Sequence, residues 1–422
     1  MKNNFNPSIN IVSVGCKLNQ YETEKMYSQF LKKGFAPVSK NADLCIVNTC
    51  TVTRKADRKS RNLIRRVQKN NPKAKIVVTG CYATTNPSDI AALNRIDLIV
   101  DNQKKNKIDS YIIERFFPEQ KTTTLEKTQD FSSRTRPFLK IQDGCSHRCS
   151  YCKIWIARGR PVGVNPKEIL FEIDKLVQKG IKEIVFTGVN ILDYQYANLD
   201  FVDLMKLILS QNYPVRYRLS SLFPSQISDK LLPILLHESI CNHFHFSLQS
   251  GSQSILRKMN RFYDLNHVLS MINLIKKERP YSGIGADIIT GFPQETDKLF
   301  EETKNFLEEA QIPFLHIFRY SERQGTQSAK MSDDVPPDKK NQRSKILEAL
   351  KIQVQTSFFN SLVGQELNVL IQSPYKGIAN NYVEVHFQNN MAKFKNTIVK
   401  SKIISVENLK VFGSPCRVVE YD

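Results

Sequence analysis

The sequence predicts an α/β protein with three parts: a parallel sheet covered by helices, a partial TIM-like βα barrel and a small terminal β-barrel. In the first hundred residues, apolar runs of strand length alternate with amphipathic helical patterns, as in parallel sheets with crossover helices. Six further strand and helix units follow, which fits an open barrel. From about Gln365 the runs become short, β-rich and separated by turn residues, as in small barrels that bind nucleic acids.

The N-terminal elements place three cysteines after three strands. Strands are predicted at residues 9–14, 44–48 and 75–79, and helices at residues 21–33 and 53–70. Cys16, Cys50 and Cys81 follow these strands closely. Since the carboxyl ends of parallel strands meet at one edge of a sheet, we expect the three thiols to lie together, in a geometry suited to a metal site.

The chain divides into four segments. Residues 1–102 are predicted to form the N-terminal domain and residues 103–137 a linker rich in Lys, Thr, Ser and Pro, with at most one short helix. Residues 138–362 form the barrel and residues 363–422 the terminal β domain. The barrel strands are expected near Phe138, Glu183, Val215, His243, Gly283 and Pro313.

Composition points to a polyanionic partner and to metal chemistry. The chain carries 61 Lys and Arg against 41 Asp and Glu, a formal net charge of +20, which suits nucleic acid. Nine cysteines, an odd number in a chain of 422 residues, argue against a disulfide framework. No apolar stretch approaches the roughly 20 residues needed to cross a bilayer, and the start is too polar for a signal peptide, so we expect a cytoplasmic protein with no membrane partner.

A second set of cysteines follows the first barrel strand. Cys145, Cys149 and Cys152 have the spacing C-x3-C-x2-C within one loop. Three thiolates in one loop can hold three irons of a cubane cluster and leave the fourth iron open to a small ligand, which indicates catalysis. The alternative is a zinc site completed by His147.

This loop strongly resembles the radical S-adenosylmethionine (SAM) motif, in which the open iron binds the amino and carboxylate groups of the cofactor. Residues 15–24, 48–53, 79–81 and 157–159 are similar to the methylthiotransferase family, and the resemblance spans nearly the whole chain. It implies two [4Fe-4S] clusters and SAM as cofactors. The first cluster would lie on the catalytic Cys145, Cys149 and Cys152, and the second, which holds or supplies the sulfur, on Cys16, Cys50 and Cys81.

Further segments at the ends of barrel strands resemble the parts of this family that contact the cofactor. By resemblance, the cofactor-binding residues are Thr187, Gly188, Asn190, Gln249, Ser250, Asp287 and Glu295. The alternative is that the glycines only permit tight turns and that Glu295 only caps a helix.

Within the family, residues 15–24 most resemble the enzymes that act on threonylcarbamoyladenosine in transfer RNA (tRNA). The implied reaction converts this nucleoside, next to the anticodon, to its 2-methylthio derivative. The partners would be the anticodon stem-loop, with the base unstacked, and an electron donor such as flavodoxin or ferredoxin. Phe223 departs from the family pattern, which usually has an acidic residue there, and the terminal β domain matches the TRAM pattern only loosely.

Three alternatives to this activity stay open. The first is methylthiolation of isopentenyladenosine in tRNA, and the second is methylthiolation of an aspartate in a ribosomal protein. The third is a non-catalytic, zinc-dependent RNA-binding module.

Two groups of polar residues are candidates for binding the RNA substrate. Four arginines at spacings of four, three and four share one face of the second helix, and this face suits phosphate: Arg54, Arg58, Arg61 and Arg65. The alternative is that they form an ordinary solvated face. Arg319, Ser321 and Arg323 follow the sixth barrel strand and could bind the threonylcarbamoyl carboxylate. Alternatively, Arg323 braces its loop through backbone carbonyls.

The remaining thiols, Cys45, Cys241 and Cys416, are expected to be small buried hydrophobes.

Overall fold

The computed structural model describes residues 6–118 and 134–419. The N-terminal domain is a parallel sheet in which β1 pairs with β2, β2 with β3 and β3 with β4, and a short strand, Ala36–Pro37, adds to the free edge of β1. The strands are β1 Ser8–Ser13, β2 Leu44–Thr49, β3 Lys75–Gly80 and β4 Leu98–Val100. The helices are α1 Lys17–Lys32, α2 Arg54–Asn70, α3 Cys81–Thr85, α4 Pro87–Ala91 and α5 Ile108–Phe116.

Helices on both faces bury the middle of this sheet. Every residue of β2 is buried, as expected for a parallel strand covered on two sides. Helix α2 packs through Leu63, Ile64 and Val67, and its N-terminus is capped by Thr53, whose hydroxyl accepts a hydrogen bond from the backbone N–H of Ala56. The predicted parallel α/β architecture is thereby confirmed.

The segment predicted as a linker differs at its start. Helix α5 is the one short helix expected there, but Ile108 and Ile112 are fully buried in the core beneath β1 and β2. Residues 105–117 therefore pack as part of the N-terminal domain. Residues 119–133 of the predicted linker lie outside the described residues.

The second domain is an open barrel of six parallel strands, as predicted. It consists of two three-stranded sheets, ordered β7-β6-β5 and β8-β9-β10, which meet through isolated bridges between Tyr217 and Ile240 and between Leu222 and Phe246. The strands are β5 Phe138–Lys140, β6 Glu183–Thr187, β7 Arg216–Arg218, β8 His243–Gln249, β9 Gly283–Thr290 and β10 Phe314–Arg319. The helices are α6 Ile154–Arg158, α7 Pro166–Gln178, α8 Phe201–Leu209, α9 Leu232–Leu236, α10 Gln253–Lys258, α11 Leu265–Glu278, α12 Asp297–Ala310 and α13 Pro337–Ser361.

Alternation along the barrel strands separates an apolar face from a polar one. Phe244, Phe246 and Ile284 belong to the large core shared with the helices, whereas residues between them on the same strands, such as His245, lie on the opposite, inner face. We call this polar inner face the lumen.

The terminal β-barrel is also confirmed. Five strands close in the order β11-β12-β13-β15-β14 around a core that includes Val369, Val385 and Ile403. They are β11 Glu366–Ser373, β12 Lys376–Ala379, β13 Glu384–His386, β14 Ile398–Glu407 and β15 Lys410–Val418. In the described part of the chain, none of the helices combines the length and the apolar character needed to cross a membrane.

Candidate active site

The loop after β5 carries Cys145, Cys149 and Cys152. Cys149 is buried and the other two thiols are partly exposed. Gly144 is needed at the start of the loop, because its φ is +74° and an added Cβ would lie 2.0 Å from the carbonyl oxygen of Arg160. Burial raises the pKa of Cys145 to about 12, so a metal bound there would have to displace a firmly held proton.

An aromatic stack fixes the conformation of this loop. The imidazole of His147 lies parallel to the ring of Phe223, with 3.7 Å between ring centroids. The guanidinium of Arg261 lies 3.8 Å from the same ring centroid, and its Nη1 is 3.5 Å from the sulfur of Cys149. Phe223 thus connects His147 of the cysteine loop to Arg261, which contacts Cys149.

The three N-terminal cysteines lie at one edge of their sheet. Cys16 is the N-cap of α1, Cys50 follows β2 directly and Cys81 is the first residue of α3. A Cβ at Gly15, whose φ is +118°, would lie 2.8 Å from the sulfur of Cys50, so this glycine allows the β1 turn to approach that thiol.

The number of thiols bears on the zinc alternative. Each cysteine set offers three thiols and, among the described residues, no fourth cysteine beside them. A structural zinc site normally has four protein ligands, whereas three thiolates suit a cubane cluster with one open iron.

Arg158 connects the two cysteine sets. It ends α6, shortly after Cys152, and its side chain is buried in the N-terminal domain. Its Nε lies 3.3 Å from the sulfur of Cys81, and its two Nη atoms bind Glu22 at 2.6 and 3.1 Å. One buried guanidinium thus binds a carboxylate and also reaches the sulfur of Cys81, so it ties α6 to the N-terminal cysteine site.

Gln142 joins the cysteine loop to the turn after β6. Its side-chain oxygen accepts hydrogen bonds from the backbone N–H groups of Val189 and Asn190, while its amide nitrogen donates to the carbonyl oxygens of Asp143 and Gly144. The predicted cofactor residues Thr187, Gly188 and Asn190 therefore lie beside the cysteines. The Oδ1 atom of Asn190 is buried without a partner among the described residues, and it is free to bind a donor such as the amino group of SAM.

The other predicted cofactor residues have different surroundings. Gln249 ends β8 with a φ of +74°, next to Ser250, whose hydroxyl accepts from the backbone of Ser252. Glu295 accepts a hydrogen bond from the N–H of Gly291 and forms a buried 2.7 Å ion pair with Arg343. Burial raises the pKa of the Glu295 carboxyl. Through these contacts Glu295 fixes the turn after β9 against α13, and the N-cap of α12 is Thr296 rather than Glu295.

Asp287 lies deeper in the lumen than the strand ends. Its Oδ1 is 3.0 Å from Nε2 of His245 and 3.1 Å from Nδ1 of His316, on the two flanking strands. Gly285 faces His245, and a Cβ there would lie 2.4 Å from the imidazole, so the glycine leaves room for the ring. Burial opposes ionisation of Asp287, but hydrogen bonds from the two imidazoles outweigh it and hold its pKa well below the usual range.

The residues after β10 differ in burial and in their partners. Arg323 is buried, and its Nη atoms bind both carboxylate oxygens of Asp57, at 2.6 and 3.2 Å, and the carbonyl and hydroxyl oxygens of Thr51. It therefore braces its loop against the segment after Cys50. Both Nη atoms are occupied by these partners, so they are not available to a substrate carboxylate. Arg319 is exposed and donates to Asn341, and Ser321 is partly buried.

The predicted arginine face of α2 lies on the solvent side of the helix. Arg54, Arg58 and Arg65 are exposed, and Arg61 is partly buried, with a 2.6 Å hydrogen bond to the hydroxyl of Tyr82, next to Cys81. Arg54 also contacts Glu322. The face adjoins the N-terminal cysteine site and leaves most of its cations available to phosphate.

Of the remaining cysteines, Cys45 and Cys241 are buried as expected. Cys416 is exposed on β15, so its prediction as a buried hydrophobe is wrong. It lies on the outer face of the barrel, whose core is formed by other side chains.

Sequence reasoning missed several residues that hold the site together. Gln142, Asp193 and Arg261 belong to no recognisable motif, and their partners lie on other loops: Asp193, for example, accepts from the backbone and hydroxyl of Ser146. Lys17 was also missed, although it directly follows Cys16. Burial lowers the pKa of its ammonium to about 8, and Arg218 and Arg136 act in the same direction.

Two family matches cover most of the first two domains. Residues 8–101 match the uncharacterized protein family UPF0004, and residues 139–307 match the radical SAM superfamily. Two solved structures share the fold at low identity. TsrM from Kitasatospora setae, a radical SAM methyltransferase bound to cobalamin and a [4Fe-4S] cluster, has a TM-score of 0.55 with 13% identity over 75% of each chain. OxsB, a cobalamin-dependent SAM radical enzyme, has a TM-score of 0.51 with 11% identity over 83% of this chain and 56% of its own.

Relatives extend over nearly the full length. The threonylcarbamoyladenosine tRNA methylthiotransferase MtaB of Aquifex aeolicus is 36% identical over 391 residues, 88% of this chain and 95% of that protein. MtaB of Bacillus subtilis is 36% identical over 438 residues, 97% and 96% of the two chains. A tRNA-2-methylthio-N(6)-dimethylallyladenosine synthase of Endomicrobium trichonymphae is 31% identical over 87% of this chain and 89% of its own. With this identity over both of its cysteine-bearing domains, the chain belongs to the radical SAM methylthiotransferase family, together with the MtaB proteins.

Proposed function

We propose that this protein converts threonylcarbamoyladenosine, next to the anticodon of tRNA, to its 2-methylthio derivative. The observation that carries the proposal is the placement of two separate cysteine sets on either side of Arg158, in a chain that resembles MtaB proteins over nearly its whole length. Two cysteine sets that are connected in this way suit a reaction that needs both a radical and a source of sulfur.

Cys145, Cys149 and Cys152 would hold a [4Fe-4S] cluster whose fourth iron is open to SAM. The donor set fits, because three thiols share one loop and the unpartnered Oδ1 of Asn190 lies on the adjacent turn. When bound, the cluster and SAM supply the radical that activates carbon 2 of the adenine. The protein orients the reactants through the turns that Gln142 and Arg261 fix, and it excludes water.

Cys16, Cys50 and Cys81 would hold a second [4Fe-4S] cluster, which provides the sulfur. The contact between Arg158 and Cys81 supports this, since a hydrogen bond to a ligand sulfur is one way in which a protein tunes an iron-sulfur cluster. Electrons would come from a small redox protein such as flavodoxin or ferredoxin, in the cytoplasm.

The anticodon stem-loop would approach across the arginine face of α2. The exposed Arg58 and Arg65 and the high net charge support binding to phosphates. We expect the target base to leave the stack and enter the barrel mouth, because chemistry on a base requires that it be unstacked.

The experiment that tests the proposal offers the reconstituted enzyme two tRNAs, one with threonylcarbamoyladenosine and one with isopentenyladenosine, and analyses the digested nucleosides by mass spectrometry. We expect methylthiolation of the first only. A variant with Cys16, Cys50 and Cys81 replaced by Ala should lose about half of the iron, still form deoxyadenosine and make no methylthio product. Methylthiolation of the isopentenyl substrate alone would contradict the proposal and favour the second kind of relative.

A further inference from the structure

Three potential metal ligands lie together on the second sheet of the open barrel. His245, Asp287 and His316 come from the neighbouring parallel strands β8, β9 and β10. One imidazole nitrogen from each histidine and one carboxylate oxygen all lie within 4.8 Å of one another. Imidazole and carboxylate are both ligands of divalent metal ions, so this group has the composition of a metal site.

The register of the three strands places these side chains next to each other. Asp287 lies directly opposite His316, and His245 lies opposite Gly285, two residues before Asp287. Because residues two positions apart on a strand point to the same face, all three side chains face the lumen. Gly285 provides the space, since a Cβ there would lie 2.4 Å from Nδ1 of His245. The group is therefore held by rigid strands and not by loops.

The distances between the ligand atoms match those around a single metal ion. Oδ1 of Asp287 is 3.0 Å from Nε2 of His245 and 3.1 Å from Nδ1 of His316. Ligand atoms that bind an ion at about 2.0–2.2 Å, at angles of roughly 90°, lie about 3 Å apart. Two histidines and one carboxylate on one side of an ion are the donor set of facial sites for divalent first-row transition metals. When no ion is bound, hydrogen bonds from the imidazoles to the carboxylate account for the same two distances.

The exposure of the three residues leaves one side of the group open. The side chains of His245 and Asp287 are 10% and 22% exposed, whereas that of His316 is 59% exposed. An ion held by the three residues would thus have its remaining coordination positions on the side of His316. Structural zinc sites are closed by four protein ligands, whereas three protein ligands and an open position are typical of sites that bind water or a substrate atom.

The arginines of the other sheet are held away from this group by their own partners. Arg216 and Arg218 bind Glu183 at 2.6 and 2.7 Å and donate hydrogen bonds to carbonyl oxygens of the terminal barrel. Their guanidiniums are therefore fixed at the junction with that barrel. With neutral imidazoles, the carboxylate of Asp287 gives the group of three a net negative charge, which favours a cation.

We propose that His245, Asp287 and His316 bind one divalent transition-metal ion, of the class of Zn²⁺ or Fe²⁺, with open positions towards the lumen. The ion is additional to the two cysteine sites and does not depend on which base the enzyme modifies. Asp287 precedes Thr290, the last residue of β9, by three positions, so the ion lies roughly 10 Å below the strand ends. Asp287 then acts as a metal ligand and not in the predicted contact with SAM.

The test measures zinc in the full-length, cluster-loaded protein under anaerobic conditions. Zinc is counted by elemental mass spectrometry, independently of the iron in the clusters, after equilibration with chelator-buffered Zn²⁺. We expect about one zinc ion per chain, and X-ray absorption at the zinc edge should show nitrogen and oxygen ligands at about 2.0–2.2 Å without sulfur at about 2.3 Å. Zinc bound through sulfur, or no zinc above the level of the buffer, would overturn the proposal.

Two variants and a control locate the ion. His316→Gln removes the most exposed ligand, and Asp287→Asn keeps the shape of the side chain and a hydrogen-bond acceptor. Each should weaken zinc binding by at least about 100-fold, since even partners outside the ligand set contribute up to this factor, while the iron content stays at the wild-type level. His386→Gln is the matched control, because Nε2 of His386 lies 3.1 Å from Glu384 in a similar pair on the terminal barrel. Unchanged zinc affinity in both variants, or an equal loss in the control, would show that the ion binds elsewhere.

Discussion

At the scale of single residues, Arg158 connects the two cysteine-bearing domains through its hydrogen bonds. Its guanidinium contacts Cys81, Glu22, Asn19 and Asp143, so one side chain from the cysteine loop of the barrel reaches the thiol of another domain. Removing one member of a buried charge network costs about 3–5 kcal/mol, because the partners stay buried without compensation.

We expect Arg158→Ala to lower the unfolding midpoint and to lose iron selectively from the N-terminal site. Arg158→Lys keeps a charge but cannot reach both Cys81 and Glu22, so it should load its clusters yet lower the reduction potential of the N-terminal cluster, which loses a hydrogen bond to sulfur. Iron analysis and potentiometric EPR measure both effects. Arg160→Ala, an exposed neighbour, is the control. Wild-type potential and iron content in both Arg158 variants would show that the contact has no influence on the cluster.

The six cysteines could be proposed as ligands from the sequence because iron ligation needs particular atoms at particular spacings. The contacts of Arg158 and Arg323 could not, since both partners are set by the docking of two domains. Arg323 illustrates this: the sequence shows a cation after a barrel strand, but not that Asp57, 266 residues away, supplies its carboxylate.

At the scale of elements, α2 joins the cysteine site to the proposed RNA surface. Its buried side holds Cys50 in place, because the hydroxyl of Ser60 donates to the carbonyl of Cys50 and accepts from its N–H. Its other side presents the arginines. Strands and helices of this kind were predictable because the alternation and the helical periodicity of apolar residues reflect which side is buried. The packing of α5 on the first domain was not, because its short apolar pattern lies in a segment whose composition resembles a linker.

We expect Arg58→Glu with Arg65→Glu to weaken tRNA binding and to make it less sensitive to salt. Each lost phosphate contact should reduce the slope of log affinity against log salt by about 0.7 to 0.9. Arg61 is left intact because it is bonded to Tyr82. The control is Lys32→Glu with Lys104→Glu, a reversal of equal charge on another surface. If the control pair changes affinity and slope as much as the α2 pair, net charge rather than this face governs binding.

At the scale of the whole molecule, the terminal barrel closes the lumen at the starts of the strands. Arg216 and Arg218 donate to its carbonyls, His243 stacks on Tyr382 with 4.3 Å between ring centroids, and Gly283 leaves the space that the carbonyl of Asn381 occupies. The sequence indicated each domain separately, because each has its own core. Their docking was not predictable, since it depends on polar contacts that have no periodicity.

This docking should weaken in acid, because His243 is buried in a cationic environment. Burial lowers the pKa of His243 well below its usual value, and Arg218, His245 and Lys17 act in the same direction. The folded protein therefore keeps the imidazole neutral, while the unfolded chain takes up a proton below about pH 6.5. The unfolded state then binds more protons, so stability is fully present above that pH and falls as the pH decreases, by up to about 1.4 kcal/mol per pH unit.

His243→Phe keeps the stack on Tyr382 and removes the proton site. Anaerobic thermal unfolding of both proteins at pH 7.5 and 5.5 should show a smaller loss of stability in the variant. An equal loss in the two would mean that His243 is not the group through which acid loosens the two barrels.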